Sequence, residues 1–500
     1  MGYFSHLATL DGDALPYAWG IADMEVIWAG DTPYVFAGAM TDGGINRLEL
    51  HSDRVAELAQ ASLAGQYPGQ ITLEGLSIVT LGGQPHLLGL GRAGEAAMLR
   101  QIDPASGQIG ASVGFDADAA LLRGWSQAIS VTLEGRDHMV VARHDEPGLW
   151  VYELGAGNAL TLRGTVADTT KTALAGISDL AVVTIGETIH LLAVSESRAG
   201  VSSLRLGPDG GLTPVDSFGA HVGAGMSGST ALATAEVQGE THAVVASAGS
   251  GALTVLRVNE AGVLFPTDHR LDDMHTRFAG VQDIAAFSHE GRAFLVAGGG
   301  DDGLSLFELG PGGRLYHLQS IAHQEGWTLQ NVQAIEATVI EGNAVILAAG
   351  EGAAGLSQFR IDMSRFGEII MAGPEDADLS GGPGDDHLEA GDRDVTLRGG
   401  AGDDRLVAGN GETRLWGGPG EDVFVFRPGG GLDRIMDFEP GMDRIDLRAY
   451  PMLYSTAGLD FETTHTGARI RVGEDVIVVR THDLIPLAPG DFGNGDFIFG

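Results

Sequence analysis

The chain contains no cysteine. Disulfide cross-links, thiolate nucleophiles and Cys-ligated zinc are therefore excluded. Basic side chains are scarce: 29 Lys and Arg stand against 67 Asp and Glu, a formal net charge of -38. A surface this acidic repels nucleic acid and anionic lipid and favours cations. No apolar run approaches ~20 residues, so neither a transmembrane helix nor membrane insertion is expected. The segment Met1-Gly2-Tyr3-Phe4-Ser5-His6 has no basic stretch leading into an apolar one. An ordinary secretory signal is therefore not expected. What is present is a 44 % hydrophobic content and 77 glycines without a Gly-X-Y period. That composition builds folded domains, neither a disordered chain nor collagen. The length suggests two or three of them.

The first two-thirds of the chain repeats. Tyr34, His86, His138, His190, His242 and Phe294 each sit in a short β-type run, and successive members are 52 residues apart. A seventh run, Ala344-Val345-Ile346-Leu347, follows one residue short. Each unit offers a β-rich run, a glycine turn, the registered run, a Gly- or acid-rich loop and a third strand such as Gly251-Ala252-Leu253-Thr254-Val255. A Gly/Pro turn then leads to a fourth. Four short strands per unit, seven times over, predict a seven-bladed β-propeller. The four registered histidines are too far apart on different blades to share one ion. The slot, shared with Tyr34 and Phe294, calls for a flat, partly apolar side chain.

A second register, Gly20-Ile21, Gly75-Leu76, Gly124-Trp125, Gly176-Ile177, Gly225-Met226, Gly280-Val281 and Asn331-Val332, is expected to open the units. Asp23, Gln127, Asp179 and Asp283 follow shortly, with Ser227 and Gln333 nearby. The first strand of a propeller blade lines the central channel, so Asp23, Asp179 and Asp283 should ring one mouth. They are the candidate catalytic residues. Three convergent carboxylates could hold a divalent cation or work as acid and base. The alternative is that they cap inner-strand backbone. Other catalytic patterns are missing. There is no His-Glu-x-x-His, no Gly-x-Ser-x-Gly and no phosphate-binding Gly-x-x-x-x-Gly-Lys. Gly298-Gly299-Gly300-Asp301-Asp302-Gly303 reads as an inter-strand loop, or as a local calcium ligand.

From residue 372 the period changes to nine. Six nonads run to residue 425, with Leu379, Leu388, Leu397, Leu406, Leu415 and Phe424 in the eighth position. The second, fourth and sixth nonads read Gly-Gly-x-Gly-acid-Asp. The stretch resembles the RTX (hemolysin-type) calcium-binding repeats, which fold as a parallel β-roll around Ca2+. Six residues turn and three form a strand, and the eighth residues stack into a narrow core. The first, third and fifth nonads put Ala377, Val395 and Thr413 where the others put aspartate. With two nonads per turn, Asp386, Asp404 and Asp422 form a ladder on one edge only. Two calcium sites are expected, Asp386/Asp404 and Asp404/Asp422, with carbonyls from Gly382, Gly384, Gly400, Gly402, Gly418 and Gly420. The other edge has Asp376, Asp392, Asp394, Asn410 and Glu412, and should bind weakly or not at all.

The run from Gly431 to Leu447 resembles the segment that follows the roll in secreted RTX proteases, where a small β-domain caps it. The segment Asp496-Phe497-Ile498-Phe499-Gly500 resembles the uncleaved type I secretion signal of that class. The resemblance implies export through type I machinery from a Gram-negative cytoplasm, an extracellular location, and folding driven by external calcium. The expected fold is all-β. A seven-bladed β-propeller (1–365) and a linker (366–371) precede a calcium β-roll (372–426) and a C-terminal β cap carrying the secretion signal (427–500). In blade length and third-strand pattern the propeller is similar to secreted bacterial propellers of the lactonase-like and YVTN-like kinds. Two functions follow as expectations. One is a secreted binding module whose propeller meets a glycan, matrix or protein ligand. The other is a lactonase-like hydrolase with a cation at the channel mouth.

Overall fold

The structure is a computed structural model and describes residues 2–41, 43–65, 72–118, 120–493 and 495–500. It divides into two compact units, Met1–Asp362 and Met363–Gly500.

The first unit is a seven-bladed β-propeller. Six sheets are four-stranded antiparallel meanders, with inner strands Ile21–Ala29, Leu73–Leu81, Trp125–Leu133, Ile177–Ile185, Ser229–Val237 and Asp283–His289. The seventh, with inner strand Val332–Ile340, takes its fourth strand from the other end of the chain: Ser5–Leu10 pairs antiparallel with Leu356–Asp362. The ring is thereby closed by backbone hydrogen bonds. Residues of the second strands, such as Leu191, Leu192, Ala193 and Val194, are fully buried, because each blade is covered on both faces by its neighbours.

The 52-residue slot is an inter-blade contact. His138, His190 and His242 are completely buried. A Cβ added to Gly262 or Gly313, in the third-to-fourth-strand turn of the next blade, would collide with the ring of His190 or His242. A flat ring under a glycine turn lets two wedge-shaped blades approach closely.

The opening register differs from expectation in two blades. Left-handed residues precede the inner strands at Gly20, Gly124, Gly176, Gly228, Gly280 and Asn331. Blade 5 therefore opens at Gly228-Ser229, three residues after Gly225-Met226, and Gly75-Leu76 lies inside Leu73–Leu81. Glycine frequency hid the slip, since several nearby glycines satisfy the same pattern.

In the second unit two mainly parallel sheets face each other. One runs Phe366–Met371, Asp385–Glu389, Arg405–Val407, Val423–Val425, Arg444–Asp446, Phe497–Ile498. The other runs Asp378–Ser380, Val395–Arg398, Thr413–Trp416, Leu432–Phe438, Asp475–Thr481, Gly467–Val472, Asp460–Thr464. The eighth positions Leu388, Leu397, Leu406, Leu415 and Phe424 are fully buried between them, and Ile435 and Ile445 continue the stack. Residues 366–371, expected as a linker, form the first strand of the solenoid, in parallel register with Asp385–Glu389. The expected cap continues the same sheets: Leu432–Phe438 pairs with both Thr413–Trp416 and Asp475–Thr481.

Ring closure yields a prediction. Deleting residues 2–10 exposes the Leu356–Asp362 edge and leaves blade 7 with three strands. The propeller's Tm, followed by calorimetry on the full chain, should fall by more than about 5 °C. An unchanged Tm would mean that the N-terminal strand is dispensable.

Candidate metal centre

The structure brings the three candidate carboxylates into one channel, and each is held by backbone. Asp23 Oδ1 accepts the Met24 N–H at 2.8 Å, and its Oδ2 accepts Leu76 N–H of the next blade at 2.7 Å. Asp179 does the same with Leu180 and Leu232, both at 2.7 Å. Asp283 does so with Ile284 and Ile335, at 2.8 and 2.7 Å. The slot in each receiving blade holds a small residue, Gly75, Ala231 or Ala334, which leaves room for the carboxylate. Gln127 bridges in the opposite sense, donating its side-chain amide to Ser178 O at 2.7 Å.

Glu25 and Glu336 line the same cavity of about 550 Å³, and no Lys, Arg or His is among its described lining residues. Burial pushes Asp23 up to about 6, Asp179 to about 7 and Glu336 to about 8, against partial relief from backbone N–H groups. Burial also raises Glu25 and Asp283 well above the usual range, and the neighbouring carboxylates add to this. Among the described residues, no group of three or more His, Asp or Glu side chains is close enough to hold a metal ion by itself. Asp23, Asp179 and Asp283 therefore share a channel without converging on one ion.

The roll gathers its acids differently. The Asp386 N–H donates to Asp404 Oδ1 at 2.8 Å, and the Asp404 N–H donates to Asp422 Oδ1 at 2.9 Å. The Asp422 N–H donates to Asp443 Oδ1 at 3.1 Å. All four aspartates are buried, with at most 2 % exposed. The second oxygens of Asp404 and Asp422 are buried and accept no hydrogen bond. Burial drives Asp404 up to about 7 and Asp422 to about 8, and their acidic neighbours push further. A buried carboxylate oxygen without a donor costs ~1–3 kcal/mol or more. A hard divalent cation is a partner such oxygens would take.

Glycine makes the cradle. A Cβ on Gly399 or Gly417 would overlap the unpartnered oxygen of Asp404 or Asp422. One on Gly400, Gly418 or Gly420 would overlap the carbonyl oxygen of the glycine one turn earlier, Gly382, Gly400 or Gly402. Carbonyl and carboxylate oxygens thus share a space only glycine leaves open. Hard oxygen donors at a flexible turn suit Ca2+. When bound, calcium would supply the positive charge and coordination that these oxygens lack.

The other edge is satisfied internally. Asp376 accepts Gly373 N–H at 2.7 Å, Asp392 accepts the Asn410 amide at 2.7 Å, and Asp394 accepts Glu412 N–H at 2.9 Å. Glu412 pairs with Arg434 at 2.9 Å. Arg393 donates to the Pro374 carbonyl at 2.8 Å, placing a guanidinium against a turn oxygen.

The match of residues 380–415 to the model of the RTX calcium-binding nonapeptide repeat, in four copies, identifies this arrangement. Residues 380–415 are RTX calcium-binding repeats. No curated protein matches the chain significantly. Among solved structures, a putative 6-phosphogluconolactonase from Bacteroides fragilis is similar at 13 % identity and TM-score 0.45, over 63 % of this chain and 86 % of that one. A protein from Lactobacillus plantarum is similar at 17 % identity and TM-score 0.44, over 64 % and 93 %.

The acidic ladder extends past the RTX match. Asp443 takes the next rung after Asp422, 21 residues on instead of 18, and burial raises it to about 7. Asp437 accepts the N–H groups of Gly417 and Gly418 at 3.0 and 3.1 Å, where earlier turns use carbonyls. Sequence reasoning missed both residues because the spacing breaks at the end of the nonads. The fifth-position residues were missed as well. Asp385 accepts Asp403 N–H and Asp403 accepts Glu421 N–H, each at 2.9 Å. This second ladder runs antiparallel to the first, and Arg365 sits at its start, 3.0 Å from Asp403.

Two predictions concern the channel. Asp283→Ala strands the Ile335 N–H and should cost about 1–3 kcal/mol in chemical denaturation. The raised carboxyl groups bind protons more tightly folded than unfolded. Their contribution is therefore complete below pH ~4 and is lost as pH rises through about 6, 7 and 8 for Asp23, Asp179 and Glu336. At fixed calcium the propeller should melt about 5 °C lower at pH 8.5 than at pH 5.5. Glu336→Gln should flatten that slope, and a pH-independent Tm would refute the assignment.

Proposed function

We propose that this is a secreted calcium-binding protein whose RTX roll folds on calcium outside the cell and whose propeller is the recognition module. The observation carrying the reading is the pair of buried, donor-free oxygens on Asp404 and Asp422, set against an opposite edge whose acids all have protein donors. In this reading Asp386/Asp404 and Asp404/Asp422 hold the ions with carbonyls from Gly382, Gly384, Gly400, Gly402, Gly418 and Gly420. Without a cation the ladder is a column of buried like charges around a narrow core, and the roll cannot hold its strands. Sites of the extracellular kind bind at roughly 10⁻⁴ to 10⁻³ M. The roll would then stay unfolded in a calcium-poor cytoplasm, pass a type I exporter as a loose chain, and fold outside.

The propeller's part is recognition of a glycan, matrix component or protein. Its channel carboxylates act as clamps between blades. Each of Asp23, Asp179 and Asp283 spends both oxygens on backbone, which leaves none of them placed as a general base. The hydrolase alternative therefore draws no support from these residues.

Calcium titration of the full chain, followed by far-UV circular dichroism, tests the reading. The spectrum should gain β-structure cooperatively with a midpoint near 10⁻⁴ to 10⁻³ M. Asp404→Ala with Asp422→Ala should move that midpoint at least about tenfold higher, the equivalent of one lost charged ligand. Asp392→Ala with Asp394→Ala should leave it within about twofold, since those carboxylates already have protein donors. A chain that folds fully in chelator, or equal responses from the two double variants, would sink it.

A further inference from the structure

The second unit carries a basic face on an acidic chain. In the seven-stranded sheet, alternation sends Leu397, Leu415, Ile435, Ile477, Val479 and Ile470 inward to the core. The residues between them face outward. On the five inner strands these outward positions include Arg398, Arg414, Arg434, Arg480, Arg469 and Arg471; of the acids on these strands Asp433 and Asp475 are buried, and Asp437, at the register shift before Phe438, accepts the Gly417 and Gly418 N–H groups. The carboxylates of this face are Glu412, just before Thr413–Trp416 and paired with Arg434, and those of the two edge strands, Asp378 on one and Asp460 and Glu462 on the other. Six arginines thus share one sheet face in a chain of net charge -38.

Strand register orders them. Thr396, Arg414, Arg434, Val478 and Arg469 lie side by side on successive strands. Neighbouring strands are ~4.8 Å apart, so Arg414 and Arg434 are adjacent and Arg469 follows two strands on. A second row sets Arg398 beside Trp416, with the guanidinium 4.2 Å from the ring centroid. Arg434 and Arg469 pair with Glu412 and Glu462, at 2.9 and 3.3 Å. Among the described residues, Arg398, Arg414, Arg471 and Arg480 make no ion pair, and the first three are exposed. Four arginines outside any ion pair on one sheet face are an unfavourable arrangement unless a counter-charge covers them.

We propose that this face docks an extended polyanionic polysaccharide, its sulfate or carboxylate groups received by the arginine forks. The guanidinium is planar and matches such oxyanions bidentately. The arginine rows cross five neighbouring strands of one sheet, which suits a linear polymer laid along a row. Trp416 adds a stacking surface for a sugar ring beside a guanidinium. Duplex nucleic acid fits less well. Its stiff backbone, with a charge every ~1.7 Å, would run past the patch onto the edge-strand carboxylates Asp378, Asp460 and Glu462.

Full-length protein in calcium should bind dextran sulfate and hyaluronan, measured by biolayer interferometry at physiological salt, and should not bind neutral dextran. Arg414→Ser with Arg471→Ser should weaken binding at least about tenfold, corresponding to the loss of one charge-assisted contact. Lys171→Ser, an exposed charge on the propeller, should change it less than about twofold. Both substituted arginines are exposed and outside any ion pair, and circular dichroism in calcium checks that the double variant folds. If it does not, Arg471→Ser alone should still weaken binding. The proposal is overturned by no binding to either polyanion, by equal binding to dextran, by variants that bind like the parent, or by duplex DNA bound as tightly as dextran sulfate.

Discussion

A side-chain carboxylate accepting a backbone N–H from the neighbouring repeat is the contact on which both units rest. Repeat architectures are stable only through nearest-neighbour interfaces, because no single blade or turn buries its own core. In the propeller, Asp23, Asp179 and Asp283 reach from one inner strand to the next. Asp216 and Asp268 repeat the device on the outer strands, receiving Leu264 and Leu315 N–H at 2.9 and 2.8 Å. In the roll, Asp404, Asp422 and Asp443 each accept from the rung before. The acidity of the chain is thus partly structural, since aspartate is the short acceptor that spans one repeat interface.

The two units differ in how they treat the negative charge this creates. The channel has room around its carboxylates, and each clamp satisfies both oxygens with N–H donors, so the charge is moderated by backbone dipoles. The roll has no such room. Its rungs stack at strand spacing, and one oxygen of each rung accepts the N–H of the rung before; Asp386 and Asp443 fill the second oxygen with a backbone N–H, whereas in Asp404 and Asp422 it lies bare against Gly399 and Gly417. The same residue type is a clamp in one setting and an incomplete coordination shell in the other. Geometry alone separates them: two N–H groups converge on Asp179, and only one on Asp404.

The roll is also asymmetric across its two sheets. One edge gathers unpartnered oxygens, and the other replaces them with Asn410, Arg393 and Arg434. Arg393 lies at the edge of the seven-stranded sheet and Arg434 on it, away from the acidic ladder. The six arginines of the outward rows are therefore separated from the Asp386–Asp404–Asp422 ladder within one small unit. The ladder aspartates sit at strand starts beside the turns, whereas the arginine rows occupy outward strand positions.

Strand period, blade number and the nonad core were legible in the sequence, because each depends on spacing alone. Register 52 implies seven equivalent blades, and an 18-residue alternation implies that aspartates on alternate nonads stack. The blade-5 and blade-2 openings were misplaced because glycine is too common to mark a left-handed residue by itself. Ring closure by Ser5–Leu10, the partners of Asp23, Asp179 and Asp283, the fourth rung at Asp443 and the arginine rows were decided by tertiary structure. Each brings together residues with no shared period: strand pairing across more than 300 positions, a rung offset by three, and side chains from five strands aligned by register. Local spacing fixes what repeats, and only the folded sheets determine which unrelated positions become neighbours.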